Sequence, residues 1–272
     1  MTVSILGCGW LGFPLAEYLV KEGYNVKGST TSSQKISLLS HAGIEPFLIR
    51  VPDDLHDSES RSFWNTDLLV LDIPPSIRKN STGMPYPELV SGVMNRVKKA
   101  GIPRIIFTSS TSVYPATGGV TSEDDARPGS ASRPSGEAIL KAEKVIMESD
   151  TEYVILRVGG LYGYDRHPVK FLSGKKGLSD PLKPINFIHR DDCIRVIHEV
   201  LRQNKKNEIY NVVSDGHPPR EEFYTSAARH FDLPPPEFEY TPGKDYRVVS
   251  NMKLKKELNF IFAYPNPMDH TH

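Results

Sequence analysis

The amino-acid sequence predicts an α/β fold built on a doubly wound parallel sheet, with a smaller lobe towards the C-terminus. Three observations support this prediction. Short apolar runs alternate with longer amphipathic segments over the first 158 residues, as in βαβ units. Several short runs are apolar on both faces, which is typical of strands buried between two helical layers. A glycine-rich turn joins the first run to the first amphipathic segment.

The predicted strands are short and rich in aliphatic or β-branched residues. The helix predicted at Pro87–Ala100 has apolar residues at helical spacing and stops before Gly101, a residue that commonly ends helices. In chain order, the predicted strands are Val3–Gly7, Asn25–Gly28, Pro46–Arg50, Leu68–Ile73, Arg104–Thr108, Tyr153–Val158, Ile185–Ile188 and Glu208–Val213. The predicted helices are Leu11–Glu22, Pro87–Ala100, Ser135–Ser149, Cys193–Gln203, Arg220–Phe231 and Asn251–Leu258.

The alternation becomes irregular after Gly159, where Gly, Pro and Lys are frequent between Tyr162 and Pro184. Strand and helix patterns return later in the chain. We therefore predict a first domain over residues 1–158 and a smaller lobe over residues 159–272 that is interleaved with the sheet.

The composition excludes two classes of binding protein. The 272 residues carry 33 basic and 33 acidic side chains, so the formal net charge is zero, and no run of five like charges occurs. Nucleic acids and anionic membrane surfaces need a concentrated positive field, so we expect neither partner. No apolar stretch reaches 18 residues, and two cysteines are too few for a disulfide framework. We expect a cytoplasmic protein without a metal site.

The glycine-rich turn is a Gly-x-Gly-x-x-Gly motif formed by Gly7, Gly9 and Gly12, between a predicted strand and a predicted helix. Gly7 permits a tight turn, Gly9 lets the backbone approach a pyrophosphate, and Gly12 lets the helix pack closely on the strand. The helix start, with Trp10 and Leu11, adds N–H groups and a favourable dipole. Such turns also occur for packing alone, but this context favours a dinucleotide and a Rossmann-type sheet.

The end of the second predicted strand bears on which dinucleotide binds. An acid about 20 residues after the motif would hold the ribose hydroxyls of NAD. This strand ends instead in Ser29, Thr30 and Thr31, and Gly28–Ser33 contains no Asp or Glu. Small hydroxyl groups leave room for a 2′-phosphate and Lys35 adds positive charge, so we expect NADP rather than NAD. Alternatively these hydroxyls cap the next helix, and both roles are compatible.

Four later segments are similar, in the same order, to segments of the extended short-chain dehydrogenase/reductases. Ile102–Tyr114 resembles the family's fifth strand and active-site serine loop, and Leu156–Gly163 resembles its sixth strand. Asn186–Asp192 and Ile209–Val212 resemble two segments that follow. The resemblance covers nearly the whole chain and implies an NAD(P)-dependent epimerase, dehydratase or reductase that acts on a polar, sugar-nucleotide substrate.

The chain differs where this family keeps a catalytic Tyr-x-x-x-Lys. In the family the tyrosine transfers a proton, while the lysine on the same helix face lowers the tyrosine pKa and holds the nicotinamide ribose. Aligned on Gly136, Leu140 and Glu143, the two positions are Ser135 and Ile139. The chain therefore resembles an atypical branch that keeps the fold and lacks the pair at this place.

The resemblance assigns roles to further residues. Ser110 occupies the position of the serine that orients the substrate oxygen. Tyr162 and His167 follow strand ends and are candidates for substrate contact, with Tyr162 or a water as the proton donor. We expect His189 and Asp191 to anchor a turn and cap the following helix. The residues expected to wall the cofactor are Ile73, Pro74, Pro75, Thr108 and Ser109.

Two functions of different class remain open. The serine loop and a lobe that carries Arg166, His167, Lys170 and Lys183 favour an enzyme with an anionic small-molecule ligand, although each charge is also typical of a solvated surface. The change at the Tyr and Lys positions favours a non-catalytic NADP-binding sensor or scaffold. The resemblance also implies a homodimer formed through Pro87–Ala100 and Ser135–Ser149.

Overall fold

The computed structural model describes residues 1–58, 60–75, 83–240 and 245–269. Its central sheet has seven strands, and every neighbouring pair in it is parallel. Two small two-stranded sheets lie outside it. The strands are β1 (Thr2–Leu6), β2 (Asn25–Thr30), β3 (Glu45–Leu48), β4 (Leu68–Leu71), β5 (Arg104–Ser110), β6 (Val120–Thr121), β7 (Glu152–Val158), β8 (Gly160–Tyr162), β9 (Phe187–His189), β10 (Glu208–Val212) and β11 (Val248–Val249).

The strand order β10-β7-β5-β4-β1-β2-β3 places the first strand in the interior of the sheet. The chain extends the sheet to one side through β2 and β3, and then returns to the other side of β1 to form β4. This reversal leaves a crevice at the carboxyl ends of β1 and β4, where doubly wound sheets bind ligands. The predicted α/β fold with a parallel sheet is confirmed.

Helices cover both faces of the sheet, which explains why its strands are apolar on both sides. One core combines apolar side chains of α1, α5 and α7 with one face of the sheet, and a second core joins α3 and α4 to the other face. A smaller third cluster contains apolar residues of α6. The helices are α1 (Gly12–Lys21), α2 (Ile36–His41), α3 (Tyr86–Ala100), α4 (Pro134–Met147), α5 (Arg190–Arg202), α6 (Arg220–His230) and α7 (Met252–Leu258).

The strand predicted at Ile185–Ile188 is the one predicted strand outside the central sheet. The structure forms β9 at Phe187–His189 and pairs it in parallel with Gly160–Tyr162 of β8. The prediction missed β8 because three residues that begin with glycine carry no strand pattern. Strand β8 follows β7 directly, and β9 directly precedes α5.

Helix α5 begins at Arg190 rather than at the predicted Cys193. His189 is its N-cap, and the imidazole Nδ1 accepts a hydrogen bond from the Asp191 N–H. The acidic residues of the first turn suit the positive end of the helix dipole. The predicted start at Cys193 leaves them outside the helix. The expected capping role of His189 is confirmed. Within the described ranges, no helix combines the length and apolar character of a membrane span.

Candidate functional site

The turn between β1 and α1 contains three glycines in different environments. Gly7 has a φ of +113°, and a Cβ placed on it would lie 2.3 Å from the carbonyl oxygen of Asp72. A Cβ on Gly12 would lie 2.1 Å from the carbonyl oxygen of Gly7. A Cβ on Gly9 would meet no atom within 4 Å. Packing therefore requires the first and third glycines, while Gly9 faces open space.

Two adjoining hollows flank this turn at the carboxyl edge of the sheet. The β2 hollow lies beside the end of β2, and the β5 hollow lies beside the end of β5. Both hollows are lined by Gly9, Asp72, Ile73 and Pro74, so they form one cleft that crosses the glycine turn. Of the residues predicted to contact the cofactor, Gly7, Ser29, Thr30 and Thr31 line the β2 hollow, and Trp10, Leu11, Pro75, Thr108 and Ser109 line the β5 hollow. Gly12 lines neither.

The end of β2 is hydrogen-bonded to the glycine turn. The Ser29 hydroxyl accepts a hydrogen bond from the Gly7 N–H at 2.9 Å, and its carbonyl accepts one from the Cys8 N–H at 2.8 Å. Ser29 is buried, and its hydroxyl oxygen is already a partner of the turn. Thr30 accepts from the Ser32 N–H in a local turn. Thr31 and Lys35 both line the β2 hollow.

Asp72 follows β4 and lies where the two hollows meet. Its Oδ1 accepts a 2.7 Å hydrogen bond from the Thr108 hydroxyl, and the Gly12 N–H donates to the same carboxylate. Burial raises the pKa of Asp72 to about 6, although both hydrogen bonds lower it. Asp72 directly precedes Ile73, the first residue of the predicted cofactor wall, but the sequence analysis does not predict a role for its carboxyl group. An acid directly after the four buried apolar residues of β4 was the available signal.

A buried ion pair lies behind the β5 hollow. Ser109, which lines the hollow, donates a 2.5 Å hydrogen bond to Glu143 of α4, and Arg157 of β7 donates to the same carboxylate at 2.8 and 3.1 Å. Arg157 also donates to the Tyr114 hydroxyl at 2.9 Å. Glu143 and Arg157 are at most 2% exposed. This network fixes the end of β5 against α4 and was not predicted.

The residues aligned with the family's catalytic group occupy different places. Ser110 lines the β5 hollow, and its hydroxyl accepts from the Ser112 N–H. Ile139 is buried and lines the same hollow, whereas Ser135 lines neither hollow. A Cβ on Gly136 would lie 2.2 Å from the Ser112 carbonyl oxygen, so α4 packs tightly on the serine loop. The hollow therefore presents an apolar side chain at Ile139.

Tyr162 and His167 are both buried. Tyr162 is 2% exposed, and its ring contacts those of His167 and His189. Burial raises the pKa of Tyr162 above the usual range. His167 stacks on Phe223, and its Nδ1 accepts from the Val169 N–H. Neither side chain lines the β2 or the β5 hollow, so the structure does not bring these candidates together with Ser110.

Residues from the later part of the chain contact the glycine turn through Trp10. The indole N–H donates a 2.9 Å hydrogen bond to Asp165, and the guanidinium groups of Arg166 and Arg190 lie 5.3 and 4.8 Å from the Trp10 ring. Arg166 also lines the β5 hollow. Of the cations predicted to attract an anionic ligand, it is the one placed in this hollow, whereas Lys170 donates to the Asp165 carbonyl.

The chain matches a family model and is similar to known proteins in sequence and in fold. Residues 7–204 match the NAD(P)H-binding family model. Protein YeeZ of Escherichia coli K12 is 34% identical over 98% of this chain and 97% of its own length.

Solved structures with the same fold include two epimerases. The UDP-glucuronic acid 4-epimerase from Bacillus cereus, in complex with UDP-glucuronic acid and NAD, has a TM-score of 0.79 at 18% identity and covers 99% of this chain and 96% of its own. The UDP-glucose 4-epimerase from Thermotoga maritima has a TM-score of 0.78 at 15% identity, and the match covers 100% of this chain and 97% of that one. At this level of identity the likeness concerns the fold.

Proposed function

The chain belongs to the NAD(P)H-binding family, and on this premise we propose that it binds NADP in the cleft over the glycine turn. The observation that carries the proposal is the open space at Gly9, between two hollows that meet above it. A dinucleotide needs this arrangement, because its pyrophosphate approaches the backbone while its two nucleosides extend to either side.

We assign the adenosine half to the β2 hollow and propose a preference for NADP. The end of β2 brings Thr31 and Lys35 to this hollow, and a 2′-phosphate would accept hydrogen bonds from the hydroxyl and be attracted by the ammonium group. Among the described residues that line it, the sole acid is Asp72, which follows β4 rather than β2. The lining therefore favours binding of a 2′-phosphate. The vicinal hydroxyls of an NAD ribose would instead donate hydrogen bonds to an acid at the end of β2.

We assign the nicotinamide half and a polar substrate to the β5 hollow. Ser110 would orient the reacting oxygen of the substrate, and Arg166 would attract an anionic group such as the diphosphate of a sugar nucleotide. Hydride would pass between the nicotinamide and a hydroxyl or ketone carbon of the substrate. Because Tyr162 is buried away from this hollow, we assign the accompanying proton to solvent water rather than to Tyr162.

A second candidate function is that of a non-catalytic NADP-binding sensor or scaffold. The observation that favours it is Ile139, a buried apolar residue in the β5 hollow at the position of the family lysine. The two functions differ in whether deuterium moves from C4-labelled NADPH to keto-sugar nucleotides. Labelled product supports the enzyme, whereas tightly bound cofactor without exchange across the panel supports the sensor.

The binding proposal is tested by a matched pair of glycine variants. Gly9→Ala adds a methyl group that the fold accommodates but that points into the space assigned to the pyrophosphate, so we expect wild-type unfolding and NADPH affinity at least about tenfold weaker. Gly119→Ala also meets no atom within 4 Å, lies away from the cleft, and should bind like the wild type. Equal NADPH affinity for the wild type and Gly9→Ala contradicts the proposal.

A further inference from the structure

Asp72 lies at the centre of the cleft, on the boundary between the two hollows. It is the one carboxyl group that lines both of them within the described part of the chain. The carbonyl oxygen of the same residue closes over Gly7, and its carboxylate lies beside Gly12. Its position is therefore fixed by the turn to which we assign the pyrophosphate.

The Asp72 carboxylate already accepts from one of the N–H groups at the helix start that follows this turn. The Gly12 N–H, at the start of the ten-residue helix α1, donates to it, and the Thr108 hydroxyl donates from β5. An ionised carboxylate at a helix N-terminus is favourable by itself. A pyrophosphate bound at the same helix end would place two further negative charges near it, and like charges that share one site are not all retained.

Among the residues that the structure describes, the groups that interact with Asp72 from neighbouring elements carry no compensating positive charge. The thiols of Cys8 in the turn and Cys193 in α5 face it, as does the phenol of Tyr86 at the start of α3. Burial raises the pKa of each group, that of Cys8 to about 12, so all three are neutral at physiological pH. Of the described cations that line the cleft, Lys35 lines the β2 hollow and Arg166 lines the β5 hollow.

We propose that Asp72 makes dinucleotide binding proton-linked, so that the cleft accepts the pyrophosphate with Asp72 in its neutral, protonated form. The inference rests on the proposed NADP site and adds to it the residue that sets its pH dependence. A neutral carboxyl group removes the repulsion, keeps an oxygen to accept from Gly12, and gains a hydroxyl donor. Because its pKa is about 6, the proton is available near neutral pH.

The test compares NADPH affinity of the wild type and Asp72→Asn from pH 6.0 to 8.5. The amide has the shape of the protonated acid without its titration, and the 2′-phosphate of the ligand titrates equally in both experiments. We expect the two proteins to bind similarly near pH 6, and the wild type to become weaker relative to the variant by at least about fivefold at pH 8. Asp150→Asn, which changes an exposed acid on the surface, should follow the wild type.

A ratio of affinities that does not change with pH overturns the inference, and so does weaker binding by Asp72→Asn at every pH. Calorimetry of the wild type with NADH at pH 7 in two buffers of different ionisation enthalpy gives a test without the variant. Uptake of close to one proton supports the inference, and no proton exchange overturns it. If neither nucleotide binds at any pH, the proposed function itself fails. Binding without a pH effect removes the role of Asp72 alone.

Discussion

Gly7, Gly9 and Gly12 are equivalent letters in the motif, but each lacks a side chain for a different physical reason. The backbone of Gly7 has a positive φ, which favours glycine. A Cβ on Gly12 would collide with the carbonyl oxygen of Gly7. Gly9 has neither constraint, so the packing of the fold does not require it, whereas the proposed pyrophosphate would. The motif could be predicted from the sequence. The different roles of its three glycines could not, because they depend on which atoms from other parts of the chain surround each glycine.

The first residue-scale prediction concerns the cost of ionising Asp72. Its pKa rises from 3.8 to about 6 on folding, so its charge destabilises the native state above pH 6, and this cost disappears as the pH falls towards 4. We expect Asp72→Asn to be more stable than the wild type at pH 8 by about 1–2 kcal/mol, a value reduced for the side chain's partial exposure. The gap should narrow from pH 6 to pH 4.

Urea unfolding at pH 8, 6 and 4 measures this difference in free energy, and Asp150→Asn controls for loss of an acid at the surface. An equal difference at pH 8 and pH 4 would mean that hydrogen-bond geometry, and not charge, separates the two proteins.

The second residue-scale prediction concerns Lys35 and the choice of dinucleotide. Lys35→Glu replaces an attraction for the 2′-phosphate with a repulsion, while NADH lacks this group. We expect the preference for NADPH over NADH to fall by at least about tenfold, which corresponds to about 1.4 kcal/mol. Lys99→Glu, on the exposed side of α3, makes the same change in net charge away from the cleft and should keep the preference. Unchanged selectivity in Lys35→Glu would place the 2′-phosphate elsewhere.

At the scale of elements, α4 illustrates what an apolar pattern predicts and what it misses. The stripe that includes Ile139, Ala142 and Ile146 predicts the helix, and these residues are buried. The same face also buries Glu143, whose partner Arg157 lies in the next strand of the sheet. The apolar pattern of a helix does not predict such a pair, because a charged side chain is buried there only where a partner from another element compensates its charge.

This pair gives the element-scale prediction. Glu143→Leu leaves Arg157 buried without its carboxylate, and Arg157→Met leaves Glu143 without its guanidinium, so each should cost about 3–5 kcal/mol of unfolding free energy. The double variant replaces both charges with apolar groups and should lose at least about 2 kcal/mol less than the sum of the single losses. Urea unfolding of the four proteins completes the cycle. Additive losses would show that the two side chains stabilise the fold independently.

At the scale of the whole molecule, strand and helix alternation predicts the parallel sheet because each unit is local in sequence. Seven of the eight predicted strands form that sheet, and β10 joins it from the later part of the chain. The pairing of β8 with β9 was missed because strand β8 is short and its partner lies more than 20 residues away. The contacts of Trp10 with Asp165 and Arg166 were not predicted, because they join residues more than 150 positions apart through single side chains.

The central claim is that the cleft over the glycine turn binds NADP. Equilibrium titration of the purified protein with NADPH and separately with NADH, followed by nicotinamide fluorescence, tests it most directly. We expect one NADPH per chain with a dissociation constant near or below about 10 μM, and NADH at least about tenfold weaker. Tighter binding of NADH would contradict the 2′-phosphate assignment, and no binding of either nucleotide up to about 1 mM would contradict the claim itself.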